Sequence, residues 1–291
     1  MTNKQAEVDM HFHSHYSDGA SSLIEIINQA ISLCLRALIL TDHDTVAGQA
    51  EFRRLCKLMR IECLTGVEVT STHLREDVHI LGLGVAVNTE IENELSFSVQ
   101  SRSQRIQNTL DLLLAKKIIK SRMALEDIRK FVNCKGQVGS LWVADYLARF
   151  CNWEFKDARD LFVYGGECYV PMRPEDFFSP IEAINLVKKY GGLPVLAHPG
   201  EWLKRISKHE QNPQNVFIDF LETLVPAGLR GMEVFCHKHS EEETAWFLGL
   251  CRQYQIFSTA GSDSHGRFWV HPLGMPGVNF DQFMAIKAHL R

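Results

Sequence analysis

Histidine and carboxylate side chains recur where short apolar segments of this 291-residue chain end. His11 and His13 point to the same side if their segment is a β-strand, and Asp263 and His265 repeat that spacing. Imidazole and carboxylate donors without thiolates suit Zn, Mn or Fe rather than a cysteine-rich structural zinc site. The donors at predicted strand ends are His11, His13, Asp42, His43, Asp44, Glu68, His79, His198, Asp263 and His265. The sequence therefore predicts a metal centre.

Each of these residues also has an ordinary structural interpretation. A single His-x-His pair at an isolated strand end is a weak indication of a metal. Asp18 and Asp44 could be turn residues, and Glu68 could pair with an arginine. Structural accident does not place so many nitrogen and carboxylate donors at successive strand ends, so we interpret the set as one site.

The segments that carry the donors predict parallel strands joined by helices. Short runs rich in Val, Ile and Leu alternate with segments of helical period. The predicted strands are 8–13, 37–42, 63–70, 78–85, 194–198, 231–236 and 256–262. In an α/β barrel the carboxyl ends of the strands share one face, so donors far apart in sequence would converge there.

The alternation breaks between about 88 and 175. Four helical patterns (93–116, 123–133, 140–150 and 154–164) follow one another there without a convincing strand. We expect an inserted helical, substrate-binding subdomain over 88–175, and a barrel formed by 1–87 and 176–291. Residues 102–135 carry nine Lys or Arg against three Asp or Glu, on a chain whose formal net charge is −4. This basic stretch could attract an anionic ligand or could be a solvated helix face.

Composition is that of a globular protein, with 45% apolar and 23% charged residues. No window approaches eighteen uncharged apolar residues, and the first residues lack the apolar segment of a signal peptide. We therefore expect no membrane contact and a cytoplasmic location. The eight cysteines contain no Cys-x-x-Cys pair, which favours reduced, mostly buried thiols.

Together these motifs resemble the PHP (polymerase and histidinol phosphatase) superfamily. The resemblance is carried by HFHSHYSDGASSLIEIINQA and ALILTDHDTVAG, then by GVEVTS, DVHILGLG, LAHPG, GMEVF and GSDSHG. Within the superfamily the chain is similar to the branch of nucleoside 3′,5′-bisphosphate phosphatases and 5′-to-3′ exoribonucleases. The resemblance implies an α/β fold, a distorted, TIM-like (β/α)7 barrel, with three divalent metals, which could be Mn, Zn or Fe.

The resemblance also implies a ligand set for each metal. The first set is His11, His13, Glu68 and Asp263, the second is Glu68, His79 and His198, and the third is Asp18, His43 and His265. Glu68 would be catalytic because it bridges two metals, between which a water can lose its proton and attack phosphorus. The third metal would neutralise charge that develops on the phosphate. Asp42, beside His43, would fix the tautomer of an imidazole.

Two residues outside the ligand set are candidates for substrate contact. Arg173 could hold a phosphate with its guanidinium, or could form an ion pair with Glu175 or Asp176. His239 could touch substrate or donate a catalytic proton, or could be an exposed residue at a helix start.

The insert departs from the family pattern at one motif. Related sequences usually read Gly-Arg-Pro-His where this chain has Gly139-Ser140-Leu141-Trp142. The nucleotide preference is in doubt if the missing Arg binds phosphate. Trp142 could be core packing or a stacking surface for a base.

These features predict a metal-dependent phosphoesterase. The expected substrates are nucleoside 3′,5′-bisphosphates or the 5′ ends of short oligoribonucleotides, without a stable nucleic-acid complex. One alternative is a phosphatase for another small phosphorylated metabolite, as histidinol phosphatases illustrate. The other is a metal-binding accessory domain without turnover.

Overall fold

The computed structural model describes residues 6–268, 273–274 and 278–290. These residues form an α/β fold whose strands lie in two sheets. The first sheet is parallel and has the order β1 (Val8–Asp9), β2 (Ala37–Ile39) and β3 (Glu62–Leu64). The second contains β4 (Gly66–His73), β5 (Glu76–Leu83), β6 (Leu193–Leu196), β7 (Gly231–Phe235) and β8 (Phe257–Ala260), in chain order. Every predicted strand overlaps an observed one, but most observed strands are shorter.

The predicted strand 63–70 is two strands, β3 and β4, which are separated at Thr65. The Thr65 hydroxyl donates to the carbonyl of Val85, at 2.6 Å. The backbone here leaves the first sheet and enters the second.

The prediction that all strands run parallel is wrong for β5, which is antiparallel to both β4 and β6. Leu74 and Arg75 join β4 to β5 and have φ values of 53° and 63°. Two successive residues with positive φ form a tight hairpin turn, whereas a parallel connection needs a dozen residues or more. The short polar link between the strands was therefore incompatible with a parallel pair.

The two sheets adjoin at the segments that carry the metal donors. Beyond β1, the N–H of Met10 donates to the Ala260 carbonyl at 3.2 Å, and Phe12 forms a parallel bridge to Ser264. Beyond β2, His43 forms a parallel bridge to Glu68 in β4. The polar residues at or just after the ends of strands from both sheets therefore lie close together.

Helices surround the sheets and fill the insert. In chain order they are α1 (Leu23–Ser32), α2 (Gln49–Met59), α3 (Thr89–Ala115), α4 (Leu125–Val132), α5 (Ser140–Phe150), α6 (Phe155–Asp160), α7 (Pro180–Lys189), α8 (Pro199–Ile206), α9 (Pro213–Ala227), α10 (Glu241–Tyr254) and α11 (Phe280–His289). A capping box of Ser22 and Glu25 starts α1, and Gly191 takes the left-handed conformation after α7. In the described part of the chain, no helix is both long and apolar enough to cross a membrane.

Helices α3 to α6 pack around a hydrophobic cluster of their own, which includes Leu113, Ile128, Trp142 and Leu147. Trp142 is 3% exposed and its ring meets Phe268 edge to face. Of the two interpretations of Trp142, the structure shows core packing. All eight cysteines are free thiols, and five are buried.

The insert presses directly against the loop that follows β1. The indole N–H of Trp142 donates to the carbonyl of Asp18 at 2.9 Å, and the N–H of Gln137 donates to the carbonyl of Ser17 at 2.7 Å. A Cβ on Gly136 would lie only 2.1 Å from the Ser17 carbonyl oxygen, so this approach requires glycine. The insert therefore positions Asp18, one of the predicted ligands.

Candidate metal centre and its cavity

Glu68 lies at the centre of the predicted ligands and is fully buried. Five imidazole nitrogens surround its two carboxylate oxygens. The first oxygen, Oε2, is 3.2 Å from His11 Nε2, 3.1 Å from His13 Nε2 and 3.2 Å from His43 Nδ1. The second, Oε1, is 2.9 Å from His79 Nδ1 and 3.0 Å from His198 Nε2. One carboxylate thus contacts five imidazoles from four separate segments of the chain.

Two further carboxylates flank this arrangement. Asp263 Oδ1 is 3.0 Å from His13 Nε2, and Asp18 Oδ1 is 3.3 Å from His265 Nε2. Donor atoms within 4.8 Å of one another form three groups: His11, His13, Glu68 and Asp263; His43, Glu68 and His79; and His13, Asp18, His43 and His265. The first group is the first predicted set, the second has His43 where His198 was expected, and the third adds His13. The structure brings all nine predicted ligands into one cluster.

Two of the predicted ligands lie just after strands in strained backbone conformations. His198 has φ 26° and Asp263 has φ 48°. Non-glycine residues in such conformations persist only where the surrounding structure holds them, and they concentrate at functional sites. The N–H of His198 is held by Glu233 Oε2 at 2.8 Å.

Glu233 is a functional candidate that the sequence analysis missed. It is fully buried in β7, and its Oε1 lies 3.0 Å from His11 Nδ1 while Oε2 accepts from the His198 N–H. This contact fixes the His11 ring so that its Nε2 faces Glu68. A charged residue inside the apolar run GMEVF was the available signal.

Asp42 does not take the predicted role. Its Oδ1 accepts from the Ser14 N–H at 2.8 Å and the Ser17 hydroxyl at 2.6 Å, and its Oδ2 accepts from the Ser14 hydroxyl at 2.7 Å. The carboxylate faces the turn after β1 instead of an imidazole. It therefore orders the loop that leads to Asp18.

We predict that Glu233→Gln weakens metal binding by about 10- to 100-fold, the range typical of residues that orient metal ligands. These two contacts use different oxygens of Glu233, and glutamine replaces one of them with an NH2 donor, so one contact is lost. A competition titration with a metal-binding dye measures the change, with the exposed Glu210→Gln as the matched control. Equal metal affinity in the two variants would show that Glu233 does not orient the ligands.

The donor set fits divalent cations. Buried polar atoms without a hydrogen-bond partner among the described residues include His11 Nε2, His13 Nδ1, Asp18 Oδ1, His43 Nδ1 and Glu68 Oε2. Unpaired buried polar atoms cost about 1–3 kcal/mol each. Their concentration here is explained if cations coordinate them, and mixed nitrogen and oxygen donors suit Zn, Mn or Fe.

Electrostatics keep the carboxylates ionised. Burial alone would raise the pKa of Glu68, but the imidazoles of His43, His11 and His79 outweigh burial and hold that pKa well below its usual value. Burial would lower the pKa of His13, yet the nearby carboxylates of Asp263 and Glu68 raise it to about 9. The cluster therefore attracts positive charge, as protons or as metal ions.

The cluster forms one end of a cavity of about 460 Å³, a size that suits a small-molecule ligand. Seven of the nine predicted ligands line it, whereas His11 and His13 lie behind them. Arg102 of α3 enters from the insert, and its guanidinium donates to Asp18 Oδ2 and to the Thr70 hydroxyl, both at 3.1 Å. Lys238 Nζ lies 2.6 Å from Asp263 Oδ2 and 3.1 Å from Glu201 Oε2.

Neither of these cations is among the residues predicted from the sequence. Arg102 is the first residue of the basic stretch, and Lys238 lies between two histidines after β7. Of the nine cations of that stretch, Arg102 and Arg105 line the cavity. Others pair on the insert surface, as Lys116 does with Glu167 and Arg129 with Glu126.

The two predicted substrate-contact residues lie elsewhere. Arg173 is exposed, its Nε donates to Asp176 Oδ2 at 2.6 Å, and it lines a separate depression beside Phe97 and Gln104. His239 Nδ1 donates to the Val234 carbonyl at 2.9 Å, and its Nε2 accepts from the Gly200 N–H at 3.1 Å. Both ring nitrogens of His239 are therefore engaged in holding the start of α8, next to His198.

Comparison with known proteins adds a family context to this geometry. Residues 9–146 match the PHP domain. The chain is 30% identical over 268 residues to the phosphoribosyl 1,2-cyclic phosphate 1,2-diphosphodiesterase of Eggerthella lenta, covering 89% of this chain and 94% of that protein. It is 28% identical to a 5′-3′ exoribonuclease of Escherichia coli (95% and 94% covered). It is 27% identical to a 3′,5′-nucleoside bisphosphate phosphatase of Chromobacterium violaceum (89% and 87% covered).

The fold is also similar to that of solved structures. An amidohydrolase from Chromobacterium violaceum, with bound sulfate and no metal, superposes with a TM-score of 0.80 at 26% identity. The superposition covers 97% of this chain and 96% of that one. The similarity therefore extends over both the sheets and the helical insert.

Proposed function

Because the chain belongs to the PHP family of metal-dependent phosphoesterases, we propose that its cavity hydrolyses phosphate esters of nucleotides. The proposed substrates are nucleoside 3′,5′-bisphosphates and the 5′ ends of short oligoribonucleotides, as the names of two relatives suggest. The observation that carries this proposal is the convergence of nine imidazole and carboxylate side chains in one cluster, which forms one end of a single cavity together with Arg102.

The residues of the cluster and those around it have different roles in the proposed hydrolysis. We propose that the cluster holds three divalent metals, with Glu68 shared between two of them. Bound there, such cations supply a water of lowered pKa and neutralise charge on the phosphate. Glu233 orients His11, and Asp42 orders the loop that carries Asp18. Arg102 presents a planar, permanently charged group from the insert side, suited to a phosphate oxygen.

We further propose that the strands form a distorted (β/α)7 barrel. Treating β3 and β4 as one bent strand gives seven strands in a row. The bridges Phe12–Ser264 and His43–Glu68 connect the two sheets on both sides. The helical unit 88–175, with its own hydrophobic cluster, is then the inserted subdomain that covers the carboxyl ends of the strands.

The test is a substrate panel with the purified chain loaded with Mn, Zn or Fe. It contains an aryl phosphate, nucleoside 3′,5′-bisphosphates, 5′-phosphorylated short RNA and phosphorylated metabolites without a base. We expect the highest kcat/KM for the bisphosphates or short RNA. A preference for another metabolite would favour the histidinol-phosphatase-like alternative. No turnover with any metal would favour an accessory domain.

Arg102→Gln should raise KM for phosphate substrates by about 10-fold, since a hydrogen bond to a charged group contributes about 1.5–3 kcal/mol. Arg173→Gln should leave KM nearly unchanged, because Arg173 lies outside the cavity and pairs with Asp176. Initial rates on a monophosphate and a bisphosphate measure both effects, and metal content is checked in parallel. A larger rise in KM for Arg173→Gln, confined to bisphosphates, would assign the second phosphate to Arg173.

A further inference from the structure

The cavity continues well beyond the metal donors, along one face of α8. The residues of this segment that line it are His198, Glu201, Lys204, Arg205 and Lys208. Glu201, Lys204 and Arg205 share one face of α8, with His198 just before the helix and Lys208 just after it. Eight helical residues span about 12 Å. The cavity therefore extends much further than the length of one phosphate group.

A second helix lines the cavity in the same way. Arg102, Arg105, Ile106 and Thr109 share one face of α3, and all four line the cavity. Arg102 contacts Asp18 in the metal cluster, so this wall also starts at the donors and runs outward. The cavity is thus a slot between the insert and α8.

Aromatic side chains form the far end of this slot, which we call the tyrosine end (Tyr164, Tyr169 and Lys208). The two tyrosine rings meet edge to face with centroids 5.5 Å apart. Lys208 Nζ lies 4.9 Å from the centroid of the Tyr164 ring, and Tyr164 is 36% exposed. The far end thus offers ring surface and one ammonium group.

The arginines near the tyrosine end already have partners. Arg205 Nε lies 3.3 Å from Glu76 Oε2, and an Arg205 NH2 group donates to the Asp77 carbonyl at 2.6 Å. Arg105 Nε donates to the Val170 carbonyl at 2.8 Å, and its NH1 lies 3.7 Å from Asp77 Oδ1. Glu76 and Asp77 themselves line the cavity here, and their negative charge favours an uncharged aromatic group over a second phosphate at this end.

We infer that the tyrosine end binds the nucleobase of a substrate whose phosphate ester lies at the metal donors. The inference rests on the proposed function and assigns a place in the cavity to the base of its nucleotide substrates. A base stacks on aromatic side chains with little dependence on its identity. The Lys208 ammonium adds a cation beside the same ring surface. Discrimination between bases is therefore expected to be small.

The experiment compares a nucleoside 3′,5′-bisphosphate with its abasic analogue, in which hydrogen replaces the base. The metal-loaded chain should prefer the base-bearing ester by about 10-fold or more in kcat/KM, on the scale of one stacked base. Tyr164→Ala should remove most of that preference, so that kcat/KM for the base-bearing ester falls towards the value for the abasic ester. Tyr164→Phe, which keeps the ring, should retain the preference. Phe150→Ala is the matched control, since it removes an exposed aromatic ring of the insert outside the cavity.

A binding measurement separates this inference from the proposed function. Calorimetry with a nucleoside 5′-monophosphate and with ribose 5-phosphate needs no turnover, so it decides the role of the tyrosine end even if no ester is hydrolysed. Tighter binding of the nucleotide, lost in Tyr164→Ala, supports the inference. Equal binding of the two ligands, or equal loss of both in Tyr164→Ala, overturns it. Hydrolysis of an aryl phosphate together with that result would leave the phosphoesterase function standing.

Discussion

Glu68→Gln should lower the turnover of the metal-loaded chain by at least about 100-fold, the upper range for residues that only orient ligands. Both Glu68 oxygens contact imidazole nitrogens: Oε2 faces His11, His13 and His43, whereas Oε1 faces His79 and His198. Glutamine removes the charge and replaces one acceptor oxygen with a donor. The substitution therefore disturbs two of the donor groups together. Steady-state rates on an aryl phosphate and on a nucleoside bisphosphate measure the loss.

Two further variants test whether the loss of turnover in Glu68→Gln comes from the position of Glu68 between the donor groups. His79→Asn removes a donor that contacts one Glu68 oxygen, so its loss of turnover should be smaller than that of Glu68→Gln. Glu167→Gln changes an exposed carboxylate of the insert and should have no effect. Near-normal rates for Glu68→Gln, with metal content intact, would mean that Glu68 does not bridge metals.

The nine predicted ligands could be found from sequence because each belongs to a short motif at a strand end. His11 and His13, for example, are adjacent in the pattern and in space. Arg102 and Lys238 lacked such a signal, because their place in the cavity depends on how α3 and the segment after β7 pack. Glu233 was hidden within an apolar strand. Contacts made across the fold, over 222 residues for Glu233 and His11, are not encoded in local spacing.

The strands and helices were also predictable from local sequence patterns, whereas the direction in which the strands pair was not. Apolar runs located every strand, and segments of helical period located the four helices of the insert. The direction of β5 depends on the turn at Leu74 and Arg75, whose left-handed conformation is unusual for these residue types. Local propensity gave no signal for that turn; the available signal was the seven-residue link between the predicted strands, which is too short for a parallel connection.

Removal of metal should abolish turnover and lower the melting temperature of the chain by several degrees. In the cluster, five buried nitrogen and oxygen atoms have no hydrogen-bond partner among the described residues, and three ionised carboxylates lie close together. A ligand that binds only the folded state stabilises it by about 4 kcal/mol at 1,000 times its Kd. Elemental analysis of the chain purified with Mn or Zn should give three metals per chain. Calorimetric melting before and after chelation measures the stability change.

The stoichiometry can be tested one group at a time. His265→Asn removes a donor of the group that contains Asp18, so that variant should retain two metals. His289→Asn changes an exposed histidine at the end of α11 and should retain three. Anomalous scattering from crystals then locates each metal. Finding one tightly held metal, bound by fewer than half of the nine ligands, would contradict the three-metal arrangement. The negative charge of the remaining buried carboxylates would then have to be balanced by protons instead of metal ions.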